Sequence, residues 1–396
     1  MDSNPALCEA IANRITASPL NRITFAEYMD MVLYHPNHGY YFRKTINLGR
    51  GGDYYTSVHL GSDFGELLAV QFIQMWEIMG EPAVFHLVEL GAGQGYLAAD
   101  ILRYIQQQQP SLHKALRYII IEKSPALIDI QQQRLKDWKV RWCNIEEIRN
   151  NSILGCFFSN ELLDALPIHQ FEIETGDIKE IYVTTTDYLV PTAIDDSRER
   201  SEFVEIKGEP STLELSMYFD MVDIDIRNYP DGYRSEVNLN TVELLEVLAN
   251  KLQRGYILTI DYGYPATRYY NPRRAEGTLQ CYWQHHNHNN PYINIGKQDI
   301  TAHVDFTALE KWGKHYGLTK MGFTQQGLFL MSLGLGERIA ALSYAKISVP
   351  ELIQRRDCLQ QLLDPLGLGG FGVFVHSKGL LERESSQALK GFIEPL

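Results

Sequence analysis

The run His86-Leu-Val-Glu-Leu-Gly-Ala-Gly-Gln-Gly-Tyr-Leu97 places three alternate glycines, Gly91, Gly93 and Gly95, between an apolar strand and a helix. Glycine lets the backbone turn tightly and approach a ligand, and the free N–H groups that open the following helix meet the ligand's polar atoms. Such a turn suits a nucleotide-type ligand. A pyrophosphate-binding G-x-G-x-x-G would put its third glycine at position 96, where this chain has Tyr96. Glu89 precedes the turn, and Glu122 closes the next predicted strand, where a carboxylate bonds ribose hydroxyls.

With those two acids in place, the G-x-G-x-G turn resembles the first motif of class I S-adenosylmethionine-dependent methyltransferases; the plainer reading is a strand-to-helix turn with no ligand. After the fourth strand of the pattern comes Phe158-Ser-Asn-Glu-Leu-Leu-Asp-Ala-Leu-Pro167, at the carboxyl end of the sheet, where such folds hold ligands. Asn160, Glu161 and Asp164 bring a carboxamide and two carboxylates there, a set that suits a cationic nucleophile. Arginine stays protonated at any working pH and attacks a methyl group only once charge is drawn to one nitrogen and a proton leaves. Carboxylates gripping the guanidinium orient it and hold that nitrogen in line. The bland alternative makes Asp164 a helix cap and Glu161 the partner of a lysine.

A second segment, Gly52-Asp-Tyr-Tyr-Thr-Ser57, follows further glycines at 49 and 51. Asp53 and Thr56 are candidate cofactor contacts, and Tyr54 and Tyr55 offer faces on which a guanidinium or adenine stacks. The segment reads either as a lid over the cofactor or as a surface turn. Asp261 and His303 are assigned to the substrate mouth. His285, His286 and His288 lie among Asn and Gln with no carboxylate or cysteine at ligand spacing, so no metal is assigned. Asn289-Asn-Pro-Tyr292 imitates the box of adenine-methylating enzymes, a coincidence given Asn160-Glu161 at the mouth.

The elements that position these residues follow from periodicity. Short strands near 84–90, 118–122, 140–143 and 156–159 alternate with helices, which implies a parallel sheet covered on both faces. The rhythm breaks over 171–235, read as an inserted β element that includes an alternating run at 213–226. It resumes with a helix at 241–252, a strand at 256–261, a polar loop over 264–299 and a helix at 305–316. Late strands at 318–324 and 372–377 suggest an antiparallel edge. The fold class is therefore α/β: a class I methyltransferase Rossmann-like sheet with an antiparallel edge strand, an N-terminal helical cap and an inserted β element. The expected domains are 1–80, the cap with its Gly-rich lid loop, and 81–396, the methyltransferase domain with the insertion at about 171–235.

Composition narrows the partners. The 396 residues carry 36 Lys and Arg against 49 Asp and Glu, a net charge of −13, which disfavours nucleic acid and favours cationic protein substrates. Five scattered cysteines lack C-x-x-C spacing, which argues for a reducing compartment. No apolar stretch reaches the roughly 18 residues of a membrane span, and no address segment is recognised, so the cytoplasm is expected. The cap and insertion leave surface for a homodimer.

Along nearly its whole length the chain resembles the MidA family, bacterial and mitochondrial complex I assembly-factor methyltransferases. The segments that carry the resemblance are Tyr28–Leu33 with His35-Pro-Asn-His-Gly-Tyr-Tyr41, Gly52–Ser57 with Phe64-Gly65, Leu87–Gly95 with Ala99–Arg103, and Ser159–Phe171. To these are added Ile260–Gly263, Gly277-Thr-Leu279, Asp299–Phe306, Gln326–Leu330 and Phe374–Gly379. Ala92-Gly-Gln94 stands where the family more often has Pro-Gly-Arg, and Tyr96 where Thr is common. The resemblance implies S-adenosyl-L-methionine as cofactor and a protein arginine as substrate, with symmetric dimethylation of a complex I subunit as the known outcome in mitochondrial members. An assembly chaperone with a catalytically idle pocket and a small-molecule methyltransferase are the alternatives.

Overall fold

The computed structural model describes residues 3–43, 56–186, 202–284, 286–345 and 347–394. They form two compact units. One is built from 55–162, 244–263 and 312–396, the other from 1–54, 163–243 and 264–311, so the chain passes between them several times.

The first unit holds a seven-stranded sheet: β1 (Phe85–Leu90), β2 (Leu116–Ile121), β3 (Val140–Cys143), β4 (Ile153–Asn160), β5 (Leu252–Asp261), β6 (Thr319–Gln325) and β7 (Gly372–Lys378). Their spatial order is β6-β7-β5-β4-β1-β2-β3. Neighbours from β5 to β3 are parallel, while β7 runs antiparallel to both β5 and β6. The antiparallel strand thus lies one position in from the edge. Strand order reverses at β1, which puts the Gly91–Gly95 turn at the topological switch point, where open α/β sheets bind ligands.

The central strands are apolar on both faces, as a doubly covered sheet requires; Leu87, Val88, Phe157, Phe158, Leu258 and Ile260 are all buried. The helix Asp63–Ile78 packs here, with Phe64, Leu68, Phe72, Met75 and Trp76 in the same core as Leu97, Ile101 and Ile105 of the helix Tyr96–Gln108. At 25 cal/mol per Å² such side chains contribute roughly 2 kcal/mol each.

The second unit contains a five-stranded antiparallel sheet in which Asp177–Thr185 pairs with Ile23–Thr24, His169–Glu174 and Phe203–Gly208, and Arg234–Val237 completes it beside 169–174. The N-terminal helices Pro5–Thr16 and Phe25–Tyr34 bury Leu7, Ile11, Phe25, Tyr28 and Met29 against Ile168, Val183, Phe203 and Ile300. Asn4 and Thr24 cap them by accepting from backbone N–H groups. This grouping cuts the chain elsewhere than at residue 80: helices 5–34 belong with the β-rich unit, and helix 63–78 with the main sheet.

Two local readings are corrected. Residues 213–226 are not a strand but the helix Glu214–Met221 and a short turn; Leu215, Tyr218, Phe219 and Val222 are the buried positions, a helical period that the apolar alternation conceals. The segment 264–299 is not all loop, since Gln280–Trp283, His286–His288 and Asp299–Thr301 form a three-stranded sheet around the buried Cys281 and Ile300.

The Gly277-Thr-Leu279 motif is explained within this unit. The wholly buried carboxylate of Glu236 accepts from the Thr278 N–H at 3.0 Å, the Leu279 N–H at 3.2 Å and the Thr278 hydroxyl at 3.2 Å. Gly277 has φ +74, and a Cβ there would lie 2.1 Å from Glu236 Oε1.

Candidate active site

At the end of β1 the backbone of Gly91, Gly93 and Gly95 takes φ values of +66, +52 and +78, the left-handed region that other residues enter only with strain. The Gly95 conformation ends the turn and launches the helix from Tyr96, whose N-terminus has no side-chain cap. A Cβ on Gly91 would stand 2.8 Å from Leu162 Cδ1, so the turn and the segment just after β4 are in direct contact.

Glu89 is buried in β1, where the Tyr118 hydroxyl donates to its Oε2 at 2.6 Å. Burial raises its pKa from 4.5 to about 7; the Tyr118 hydrogen bond acts in the opposite sense, and the neighbouring Glu122 charge adds to the rise. Glu122, half-buried one residue past β2, accepts from the Ser124 N–H at 2.9 Å and from Gln131 Nε2 at 3.2 Å. Burial raises its pKa too, against these hydrogen bonds. With the Lys123 N–H as a third donor, the carboxylate keeps a lone pair for a ribose hydroxyl.

Gln131 and Arg134, on the helix Pro125–Arg134, are contributors that motif reading passes over. Gln131 Nε2 also donates to the Gly93 carbonyl at 2.8 Å, and its Oε1 accepts from Trp142 Nε1 at 2.9 Å. Arg134 Nε donates to the Gln94 carbonyl at 2.8 Å, and its guanidinium lies 3.4 Å from the Tyr96 ring centre. In sequence, Gln131 and Arg134 look like any polar helix face; only their spacing from Glu122 hinted that one turn faces the glycines.

Thr56 is buried, with its Oγ1 2.8 Å from His59 Nδ1, and the His59 ring meets the edge of Tyr96 at 5.7 Å between centroids. Asp53, Tyr54 and Tyr55 lie outside the described residues.

At the carboxyl end of β4, Asn160 Nδ2 donates to Glu161 Oε1 at 3.0 Å, while Asn160 Oδ1 is buried without a hydrogen-bond partner among the described residues. Glu161 has φ +51, uncommon for a residue with a Cβ, and its N–H is fixed to the Ile260 carbonyl at 2.9 Å. The fully buried Asp261 accepts from the Leu162 N–H at 3.2 Å and from its own neighbour Tyr262 at 2.9 Å, which shapes the exit from β4.

The remaining candidates belong to the second unit. Asp164 is buried on the short turn Leu163–Ala165, where its backbone carbonyl accepts from the Ala302 N–H at 2.9 Å. His303 donates its backbone N–H to Thr278 Oγ1 at 3.1 Å and packs on Tyr264 at 5.0 Å between ring centroids. Burial, then the charges of Arg274 and Arg268, lower its pKa from 6.5 to about 4. Tyr292 of the Asn-Asn-Pro-Tyr run is a core residue: its hydroxyl donates to Glu205 at 3.0 Å and its ring packs on Tyr28.

The glycine cradle and the open carboxylate of Glu122 fit an adenosine-bearing cofactor, and comparison with known proteins agrees. Residues 67–324 match a family described as "Putative S-adenosyl-L-methionine-dependent methyltransferase". The chain is 28% identical to a COG1565 superfamily member from Burkholderia thailandensis crystallised with S-adenosyl-homocysteine; the match covers 98% of this chain and 95% of that one at a TM-score of 0.81. It is 29% identical to the Drosophila melanogaster protein arginine methyltransferase NDUFAF7 homolog, mitochondrial, over 91% of this chain and 83% of the relative. The human protein arginine methyltransferase NDUFAF7, mitochondrial, is 28% identical over 93% and 80%. These mitochondrial names overturn the cytoplasmic expectation, which rested on seeing no address segment and so on no positive observation. S-adenosyl-L-methionine is the cofactor, and the chain belongs to this family of S-adenosyl-L-methionine-dependent methyltransferases.

Proposed function

We propose that the protein methylates an arginine of a protein partner, with Glu161 and Asn160 as the residues that hold the guanidinium. The observation that carries this is the place of Glu161: a carboxylate held at φ +51 one residue before Leu162, whose side chain abuts the Gly91 turn. A strained acid beside a cofactor cradle is a candidate for chemistry, because such conformations persist where the surrounding structure holds them. The relatives named as protein arginine methyltransferases support the same substrate.

When bound, S-adenosylmethionine supplies an electrophilic methyl group. Glu161 accepts hydrogen bonds from the guanidinium, concentrating positive charge on the gripped nitrogens and leaving one nitrogen directed at the methyl carbon. Asn160 Nδ2 fixes the Glu161 carboxylate, and Asn160 Oδ1 is an acceptor for a further guanidinium N–H. Formation of the new N–C bond is matched by cleavage of the methyl–sulfur bond, whose electron pair stays on the sulfur of departing S-adenosylhomocysteine, and the proton lost from the nitrogen passes to the Glu161 carboxylate and on to water. Asp164 is proposed as a second guanidinium carboxylate, His303 as a substrate contact, and Asp53, Thr56, Tyr54 and Tyr55 as the lid segment. On the family resemblance, the product is symmetric dimethylarginine on a respiratory NADH dehydrogenase subunit of complex I type, made in support of its assembly.

Calorimetric titration with S-adenosylmethionine, alongside mass spectrometry of co-purifying proteins, tests the proposal. Glu161→Ala is expected to keep cofactor affinity and lose arginine methylation; full activity in that variant overturns the assignment. If Gly93→Val, unable to hold cofactor, still supports partner assembly in cells, the chain acts as a chaperone instead.

A further inference from the structure

Around Tyr264 the second unit gathers positive charge that nothing in the proposed methyl transfer uses. The guanidinium of Arg268 lies 4.1 Å from the Tyr264 ring centre and that of Arg274 4.7 Å from it. Two cations on one ring stand within a Debye length, about 10 Å at 0.1 M salt, so each feels the other's repulsion. Among the described residues no carboxylate lies within ion-pairing distance of either. Arg268 is exposed on the short helix Ala266–Tyr269, whereas Arg274 is half-buried and its Nη1 is enclosed without a hydrogen-bond partner among the described residues. His303 packs on the same tyrosine. Burial and the two guanidinium charges keep its imidazole neutral, so the third basic side chain adds a polar edge without a third positive charge.

In a chain of net charge −13, two arginines against one tyrosine ring, neither with an ion pair among the described residues, make a local cationic spot suited to an anion. Arginine's planar fork pairs with carboxylates, and both guanidiniums rest against the Tyr264 ring. We propose that Arg268 and Arg274, on the Tyr264 platform beside His303, form a subsite for a carboxylate side chain of the protein substrate. This rests on the reading of the substrate as a protein. An overall acidic surface repels an acidic segment, and a local cationic contact is what admits an Asp or Glu of the substrate.

The test is fluorescence anisotropy on the full chain, with a labelled peptide alternating Gly and Glu, blocked at both ends, against the same peptide with Gln for Glu. The Glu peptide is expected to bind at least tenfold more tightly, with affinity falling as salt rises. Arg268→Gln and Arg274→Gln are each expected to weaken it about tenfold. Arg274→Lys, which keeps charge and loses the fork, is expected to fall between. Equal binding of the two peptides, or binding untouched by both glutamine variants, overturns the subsite. Inorganic phosphate that binds and is lost in the variants, without any preference for the Glu peptide, assigns the arginines to a free oxyanion and also overturns it. Should Arg274→Gln not fold, Arg268→Gln on the exposed helix decides alone. S-adenosylmethionine titration and arginine methylation of co-purifying proteins are followed on the same protein preparations: Glu-peptide binding by a protein that methylates no arginine rejects the proposed function and leaves the subsite standing.

Discussion

Gln131 Nε2 lies 2.8 Å from the carbonyl oxygen of Gly93, a hydrogen bond that ties the helix after β2 to the middle of the glycine turn. The same amide reaches Glu122 at 3.2 Å, so one side chain sets the positions of the two groups expected to face opposite ends of an adenosine.

Removing that tie should loosen the ligand site before it loosens the fold. Gln131→Ala is expected to lower S-adenosylmethionine affinity about tenfold, the equivalent of one charge-assisted hydrogen bond at about 1.4 kcal/mol. Calorimetry checks the affinity, and a melting temperature shows whether the fold has followed it down.

Glu161 should show opposite signs for stability and activity. Replacing a residue at φ +51 with glycine relieves strain worth about 1 kcal/mol, so Glu161→Gly is expected to match or exceed the wild type in denaturant midpoint. The same variant is expected to lose methyl transfer. A midpoint clearly below wild type would show that the conformation at 161 carries no strain.

Glu89 gives a pH signature. Its folded pKa, about 7, lies above its ordinary 4.5, so between these values the folded state holds a proton that the unfolded state has released. Its contribution is therefore complete below pH 4.5 and is lost as pH rises through 7. At about 1.4 kcal/mol per pH unit the full loss is of the order of 3 kcal/mol. Glu89→Gln is expected to stay neutral throughout and to flatten the decline in ligand-free stability measured by urea unfolding between pH 4.5 and 8. An unchanged slope would assign the decline to other groups.

Gly277→Ala should fail structurally. The added Cβ meets Glu236 Oε1 at 2.1 Å in a backbone at φ +74, and Glu236 then loses its donors at Thr278 and Leu279. A loss of about 3 kcal/mol or more is expected, read as a thermal shift, because a buried carboxylate without its donors is among the most destabilising changes a core can suffer.

What could be read in the sequence followed from locality. Gly91, Gly93, Gly95 and Glu122 announce themselves because the chain itself supplies their strand, turn and helix in order. The strands at 140–143 and 372–378 were legible as apolar runs with turn residues around them. Gln131 and Arg134 were not, because their role arises from facing a turn about forty residues earlier in the chain, and nothing local distinguishes a ligand-facing glutamine from a solvated one. Residues 213–226 misled for a different reason: apolar residues at alternate positions also satisfy a helix when bulky side chains fill i, i+3 and i+4, and tertiary burial decided between the two. Likewise the grouping of helices 5–34 with the β-rich unit is a long-range packing choice made by Ile168, Val183 and Phe203.

The position of β7 carries a consequence for biosynthesis. This strand inserts between β5 and β6, pairing with Gly255–Asp261 of the one and along Thr319–Gln325 of the other. During translation β5 is made more than a hundred residues ahead of β7, so at 5–20 residues per second its edge stays open for on the order of ten seconds. An apolar strand with unpaired backbone groups is a template for pairing with other chains. The nascent protein therefore has a period of exposure to aggregation that closes only when the ribosome has released residues 372–378, and a chaperone acting on it would be needed longest at that edge.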